Sequence, residues 1–301
     1  MKRVLVTGAA GFTGRHFLEV AALQQPDIHF LGLSRQESAK LGAFEAVQAD
    51  LFETGELADA LGKAAPEGII HFAGATAPAS RSELWAANVG LTTSLLLAAS
   101  RALRGCRVVV IGSAAEYRSS SAQQVNEDMP VGGEGDYGLS KFAQTSAALA
   151  MSRELGLDVV IARPFNLLGP GMGDKFVAGK ICRQVQDVRQ GKQPRLTIGR
   201  TSGVRDFIDV RDASRAILSL LLEPGAEGVF NVCTGVGTSV EDLLQLFLAE
   251  AGLDDSVVLR ESQERNSDVD RMVGDSNRLR AATGWQPELS LERTVRDMLE
   301  A

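Results

Sequence analysis

Residues 3–14 read Arg3-Val4-Leu5-Val6-Thr7-Gly8-Ala9-Ala10-Gly11-Phe12-Thr13-Gly14, and their order decides the fold. A short apolar run of strand-forming residues ends in three glycines spaced three apart, and a helical pattern follows over residues 12–24. A strand, a glycine turn and a helix N-terminus together present free backbone N–H groups and a positive dipole end, where a pyrophosphate can sit. Gly8 allows the tight turn, Gly11 lets phosphate oxygens approach the main chain, and Gly14 lets helix and strand pack closely. Phe12 and Thr13 open the helix between them and join the expected cofactor contacts. The spacing is G-x-x-G-x-x-G rather than G-x-G-x-x-G.

Outward from this cradle, apolar runs at 28–33, 46–49, 69–73, 107–111 and 159–162 read as further strands. Helical periods lie between them at 57–63, 84–103 and 137–155. Continuously apolar strands alternating with helices predict an α/β, Rossmann-like, doubly wound parallel sheet covered on both faces. Such sheets bind ligands beyond the carboxyl ends of their strands. Past Pro164 the pattern loosens into a helix at 180–190, strands at 204–210 and 229–232, and helices at 239–250 and 291–299. The expected organisation is a dinucleotide-binding domain over 1–163, revisited around 207–233, and a smaller C-terminal α/β substrate lobe from 164–206 and 234–301.

The 301 residues are 45% hydrophobic and 23% charged with a net charge of −7, the balance of a globular chain without the basic face of a nucleic-acid binder. Cys106, Cys182 and Cys233 are three widely spaced thiols with no metal-ligand spacing, which reads as buried, reduced cysteines of a cytoplasmic protein. His16, His29 and His71 show no metal spacing either; His71 reads as a loop anchor, and Trp85 and Trp285 as packing residues. No run approaches the ~20 apolar residues of a membrane span.

Two further stretches carry chemistry. An NAD site places an acid about 20 residues after the glycines, on the ribose 2′-hydroxyl. Here the second strand ends Leu33-Ser34-Arg35. No carboxylate stands there to repel a 2′-phosphate, and Arg35 beside Ser34 can pair with one, assisted by Arg15; the expected cofactor is therefore NADP (NADPH). The second stretch is Tyr137-Gly138-Leu139-Ser140-Lys141, which holds one of only two tyrosines. Residues i and i+4 share a helix face, so a lysine cation there is expected to draw a phenol pKa of about 10 downward. Ser113 follows the strand 107–111. Together they suit hydride transfer to a carbonyl: Tyr137 gives the proton, Ser113 stabilises the growing oxyanion, and Lys141 tunes the tyrosine and holds the nicotinamide ribose.

These residues resemble the extended short-chain dehydrogenase/reductase family of nucleotide-sugar enzymes. The resemblance spans nearly the whole chain, through Thr7–Gly14, Asp50-Leu51, His71-Phe72-Ala73-Gly74, Asn88-Val89-Gly90, Tyr137–Lys141, Arg163-Pro164-Phe165-Asn166, Gly169-Pro170-Gly171, Arg205–Asp212 and Gly284-Trp285. Within it, residues 112–117, 163–171, 230–235 and 273–279 are similar to the GDP-4-dehydro-6-deoxy-mannose reductases. The resemblance implies cofactor contacts from Asp50, Leu51, Ala73 and Asn88. It also implies a nucleotide-diphosphate sugar as substrate, held by Asn166, Arg205 and Arg265, although Asn266 stands where the family usually has proline. The implied reaction is reduction of a 4-keto group to a GDP-rhamnose or GDP-6-deoxytalose. The implied assembly is a homodimer through the helices at 91–103 and 137–150. The related 4,6-dehydratases carry an acid or base one or two residues after the serine; Ala114 and Ala115 can be neither. Two alternatives remain: a 4-epimerase with tightly bound NAD, using the same serine, tyrosine and lysine, and a non-catalytic NADP-binding regulator, which would not need the Tyr137/Lys141 pair.

Overall fold

The computed structural model describes residues 1–35, 44–118, 123–261 and 271–301. In chain order, the first half runs β1 (Arg3–Thr7), α1 (Phe12–Gln24), β2 (His29–Ser34), β3 (Glu45–Gln48), α2 (Thr54–Ala64) and β4 (Gly68–His71). It continues through α3 (Arg81–Trp85), α4 (Leu91–Ala102), β5 (Arg107–Ile111), α5 (Gly135–Leu155) and β6 (Asp158–Pro164). The second half holds β7 (Asn166–Leu168), α6 (Val177–Arg189), β8 (Leu196–Ile198), β9 (Val204–Asp209), α7 (Val210–Leu222) and β10 (Gly228–Val232). Last come β11 (Gly237–Ser239), α8 (Val240–Ala251), β12 (Val258–Arg260), β13 (Arg271–Met272), α9 (Asn277–Thr283) and α10 (Leu291–Glu300).

Seven strands form one parallel sheet in the order β10-β6-β5-β4-β1-β2-β3. Side chains alternate across it, as the pleat requires. Val4, Val6, Ile70, Val109 and Val160 face α1 and α7, whereas Leu5, Ile69, Val108, Val110 and Ile161 face α2, α4 and α5. Both faces are buried, which is why the strands read as unbroken apolar runs. The strand order reverses at β1, with β2 on one side and β4 on the other, so the crevice above Thr7 and His71 is the natural ligand position. A second core of α6, α8 and α10 against Leu196, Ile198 and Phe207 supports a small sheet in which β9 pairs with β7, β11 and β13.

The single helix predicted over 84–103 is divided. A π-helical turn, Ala86–Gly90, separates α3 from α4 and turns Asn88 inward, where it is 1% exposed. Such an extra residue in a helix commonly marks a functional position. Trp85, read as a packing residue, is 43% exposed at this break. Trp285 is buried and donates its indole N–H to the Asp212 carbonyl at 3.1 Å. The three cysteines are buried thiols. Among the described residues no helix is long and apolar enough to cross a membrane, and no cluster of metal-ligating side chains occurs.

Candidate active site

The glycine cradle is built as tightly as its spacing implies. Gly8 has φ +67°, and a Cβ there would lie 2.8 Å from the Ala73 amide nitrogen. A Cβ on Gly14 would lie 2.3 Å from the Gly8 carbonyl oxygen. α1 follows Gly11 with no side-chain cap and no acid in its first turn, so its N-terminal amides are presented to the crevice. His16 on this helix bonds the Pro170 carbonyl at 2.9 Å, fastening the Gly169–Gly171 turn beside the cradle.

Between β1 and β4 lies a buried hydrogen-bonded chain that runs from the cradle to the long helix α5. His71 is 1% exposed, with Nδ1 2.8 Å from the Thr7 hydroxyl and Nε2 3.0 Å from the Thr92 hydroxyl. The Thr92 proton goes to the Asn88 carbonyl at 2.7 Å, and Thr92 also accepts from the Gln144 amide at 2.9 Å. His71 must therefore donate through Nε2, leaving Nδ1 to accept from Thr7, whose oxygen in turn accepts the Ala73 N–H at 3.1 Å. Burial first, and the Lys141 charge second, lower the His71 pKa to about 3. The unfolded value lies near 6.5, so the neutral ring stabilises the fold fully above that pH and loses its contribution as pH falls toward 3. Stability is expected to drop between pH 7 and pH 4 by about 3 kcal/mol, toward about 5 kcal/mol once the ring is fully protonated below pH 3. His71→Gln, which keeps one donor and one acceptor, should flatten that slope in calorimetry; an equally steep fall would assign the effect elsewhere.

Ser113 stands two residues beyond β5 and caps the short turn Ala114–Glu116, its hydroxyl accepting the Ala115 N–H at 3.2 Å. Gly138 lets α5 come down onto that turn: a Cβ there would be 2.5 Å from the Ala115 carbonyl. That close approach sets Tyr137, half-buried in the first turn of α5, beside Ser113. Lys141, one turn on, is 7% exposed and donates to the Ile111 carbonyl.

The expected lowering of the Tyr137 pKa is not what this environment produces. Burial pushes it up, the Ser113 hydroxyl draws it back in part, and the nearby Glu116 carboxylate pushes it further up. Burial brings Lys141 down to about 8, opposed by Glu116. The phenol therefore keeps its proton at neutral pH, the form needed by a proton donor.

Asn88 clamps the loop after β4: its Oδ1 accepts from Ala75 N–H at 2.9 Å and its Nδ2 donates to Ala75 O at 3.1 Å and to the Ser140 hydroxyl at 2.9 Å. These groups share one cleft of about 970 Å³ between the main sheet and the smaller sheet. Gly8, Gly11, Phe12, Thr13, Gly14, Asn88, Ser113, Tyr137, Lys141, Asn166 and Arg205 all line it. Asn166 opens β7, and half-buried Arg205 on β9 donates to the Val204 carbonyl at 2.9 Å. Ser34, Arg35, Asp50 and Leu51 are not on the cleft wall; they stand farther along the same carboxyl edge, at the end of β2 and after β3. Arg35 is exposed, Leu51 is buried, and Asp50 accepts the Phe52 N–H at 2.9 Å. Arg265 lies outside the described residues. Lys175 was not singled out by sequence, yet it lines the cleft and donates to Thr76 at 3.0 Å. A cation soon after the Gly169-Pro170-Gly171 turn was its only signal. Ala114 and Ala115 line the wall beside Ser113, while Glu116 is fully buried and paired with Arg163. No carboxylate of this turn faces the cleft.

Comparison with known proteins sets this geometry in context. The family model described as GDP-mannose 4,6 dehydratase matches residues 5–298. GDP-6-deoxy-D-mannose reductase of Pseudomonas aeruginosa is 30% identical over 305 residues, covering 99% of this chain and 96% of that protein. UDP-glucose 4-epimerase of Mycolicibacterium smegmatis is 29% identical, covering 99% and 97%. Among solved structures, RMD from Pseudomonas aeruginosa complexed with NADPH superposes with a TM-score of 0.86 at 30% identity, over all of this chain and 98% of that one.

Proposed function

This chain belongs to the GDP-mannose 4,6 dehydratase family of extended short-chain dehydrogenases/reductases, and we propose that it is an NADPH-dependent 4-ketoreductase of a nucleotide-diphosphate 4-keto-6-deoxy-hexose. GDP-4-keto-6-deoxy-mannose is the substrate of this reading. One observation carries it: the cleft holds Ser113, Tyr137 and Lys141 together, but presents only the methyls of Ala114 and Ala115 where elimination would need an acid or base. Ser113, Tyr137 and Lys141 can move a proton on and off one oxygen, and Ala114 and Ala115 offer no group to take a proton from carbon and expel a hydroxide.

The uncapped α1 N-terminus and the crowding at Gly8 and Gly14 fit a dinucleotide pyrophosphate, and Arg35 next to Ser34 suits a 2′-phosphate. Bound there, NADPH supplies the hydride. Tyr137 would give its proton to the sugar's carbonyl oxygen, Ser113 would hold that oxygen as its charge grows, and Lys141 would hold the nicotinamide ribose. Asn166 and Arg205, with Arg265 and the newly seen Lys175, hold the diphosphate and sugar from the lobe we assign to residues 164–206 and 234–301.

The test is NADPH consumption with GDP-4-keto-6-deoxy-mannose beside an NADH control. Rapid oxidation of NADPH and much slower oxidation of NADH are expected, and Arg35→Ala should erode that preference by roughly 10-fold. Failure to oxidise NADPH, with NAD retained through purification, would instead select a 4-epimerase, the activity of the relative from Mycolicibacterium smegmatis.

A further inference from the structure

Directly behind Ser113, and outside the cleft, lies a buried ion pair that the reaction as written does not use. Glu116 and Arg163 are 0% and 3% exposed in their side chains and meet at 2.8 Å. The guanidinium lies 4.6 Å over the Tyr117 ring, yet its Nε and Nη1 hydrogens find no partner among the described residues. Burying a charged pair with two unmet donors is costly, and apolar residues of similar size would fill the space at no such cost. The placement of the carboxylate accounts for keeping it. Glu116 Oε1 accepts the Ser113 N–H at 2.8 Å while Lys141 donates to the carbonyl of Ile111, two residues earlier. Gly112, between them, is held by its N–H to the Ala162 carbonyl at 2.7 Å. It has no room for a Cβ, which would lie 2.5 Å from Glu116 Oε1 and 3.2 Å from the Ile161 side chain. The end of β5 is thus gripped by an anion on one peptide and a cation on another.

We propose that Glu116 is a positioning residue of this site: anchored by Arg163, its carboxylate fixes the backbone that presents Ser113 and sets a negative charge beside the Tyr137–Lys141 pair. The role in turnover rests on the reductase reading; the electrostatic role does not. The charged and titratable groups facing the carboxylate are Arg163 on β6 and Tyr137 and Lys141 on α5, while Tyr117 packs against the far side of Arg163. His71 at the end of β4 also faces Lys141, but it is neutral. The Glu116 charge raises the pKa of both Tyr137 and Lys141. An anion there holds the proton on the phenol and the charge on the ammonium, so its removal must loosen both in the same direction.

Glu116→Gln separates charge from shape, since the amide oxygen can still accept the Ser113 N–H. Two readouts apply. The first is the pH profile of NADPH-dependent reduction, whose basic limb should move down by about one pH unit. The second needs no substrate: titration of the Tyr137 phenol by its ultraviolet tyrosinate band, isolated by subtracting the same protein carrying Tyr137→Phe. The chain has only two tyrosines, and Tyr117, pushed up to about 12 by burial, titrates late. The Tyr137 midpoint should fall by a similar amount. Glu116→Asp keeps the charge but shortens the reach to Ser113, so it should hold the midpoint near that of the parent while lowering kcat. If Glu116→Gln does not fold, Glu116→Gln with Arg163→Met removes both charges and should move the midpoint in the same direction by a smaller amount, because no unpaired cation is left behind. An unchanged midpoint and basic limb in a folded variant would overturn the inference. A parent protein that does not reduce the sugar overturns the reductase reading alone, because the titration still reads the charge.

Discussion

Tyr137→Phe is expected to lower kcat for the keto sugar by roughly 10²- to 10⁴-fold while NADPH still binds. The phenol is the one group in the cleft that combines a removable proton, a serine hydroxyl beside it and a surrounding that keeps it protonated. The phenylalanine ring fills the same half-buried space, so the first turn of α5 and the grip of Lys141 on the Ile111 carbonyl survive. Single-turnover NADPH oxidation, with cofactor affinity followed by fluorescence, separates the two effects. The other tyrosine is an internal control. Tyr117 spends its hydroxyl on Asn231 at 2.7 Å inside a buried cluster, and Tyr117→Phe should cost stability rather than chemistry. Turnover within a few-fold of the parent in Tyr137→Phe would remove proton donation by this residue from the mechanism.

Gly14→Ala should abolish cofactor binding and destabilise the fold. The added methyl would lie 2.3 Å from the Gly8 carbonyl oxygen and 2.9 Å from the Ala9 Cα, both backbone atoms that cannot swing away. Either α1 lifts from β1 or the turn opens, at about 1–3 kcal/mol, and each response misplaces the amides that would meet the pyrophosphate. Gly11→Ala makes the comparison informative. Its nearest neighbour is the Gly8 carbonyl at 3.2 Å and the residue is exposed, so the fold should tolerate it while the methyl occupies the approach of the phosphate. Calorimetry paired with NADPH titration should show both losses in Gly14→Ala and mainly the affinity loss in Gly11→Ala. Unimpaired NADPH affinity in both variants would mean that the cradle does not hold the cofactor.

Why some of this was readable in the sequence and some was not follows from how far each signal reaches along the chain. The main sheet was legible because its strands are buried on both faces: Val4–Val6 and Val108–Val110 are apolar at every position, and the intervening helices keep a 3.6-residue period. α1 and β5 begin and end at the residues expected, since a glycine turn and a change of period bound them. The two smaller sheets, β9 with its partners and the pair β8 and β12, were mostly invisible. β7, β8, β11 and β12 are three residues long and β13 only two, too short to show alternation, and their pairing partners are distant in sequence. The π-helical turn at Ala86–Gly90 was hidden for another reason: Asn88 is turned inward by Ala75 and Ser140, which come from other elements. Likewise Y-x-x-x-K announces that Tyr137 and Lys141 share a face, but not that a buried carboxylate from a different turn stands behind them. The sign of the tyrosine's pKa shift was therefore wrong when read from the local pair, because burial and Glu116 outweigh a lysine already engaged with Ile111.

The outermost position of β10 bears on how the chain is made. Its partner β6 ends at Pro164, but the residues that cover the edge of β6 are 228–232, and the connection between them contributes to the second core. During synthesis the first six strands can assemble while β6 still shows an open row of N–H and C=O groups, a template for pairing with another copy. Closure must wait until some sixty more residues have been made, so the interval of greatest aggregation risk runs from the completion of β6 to that of a single five-residue strand.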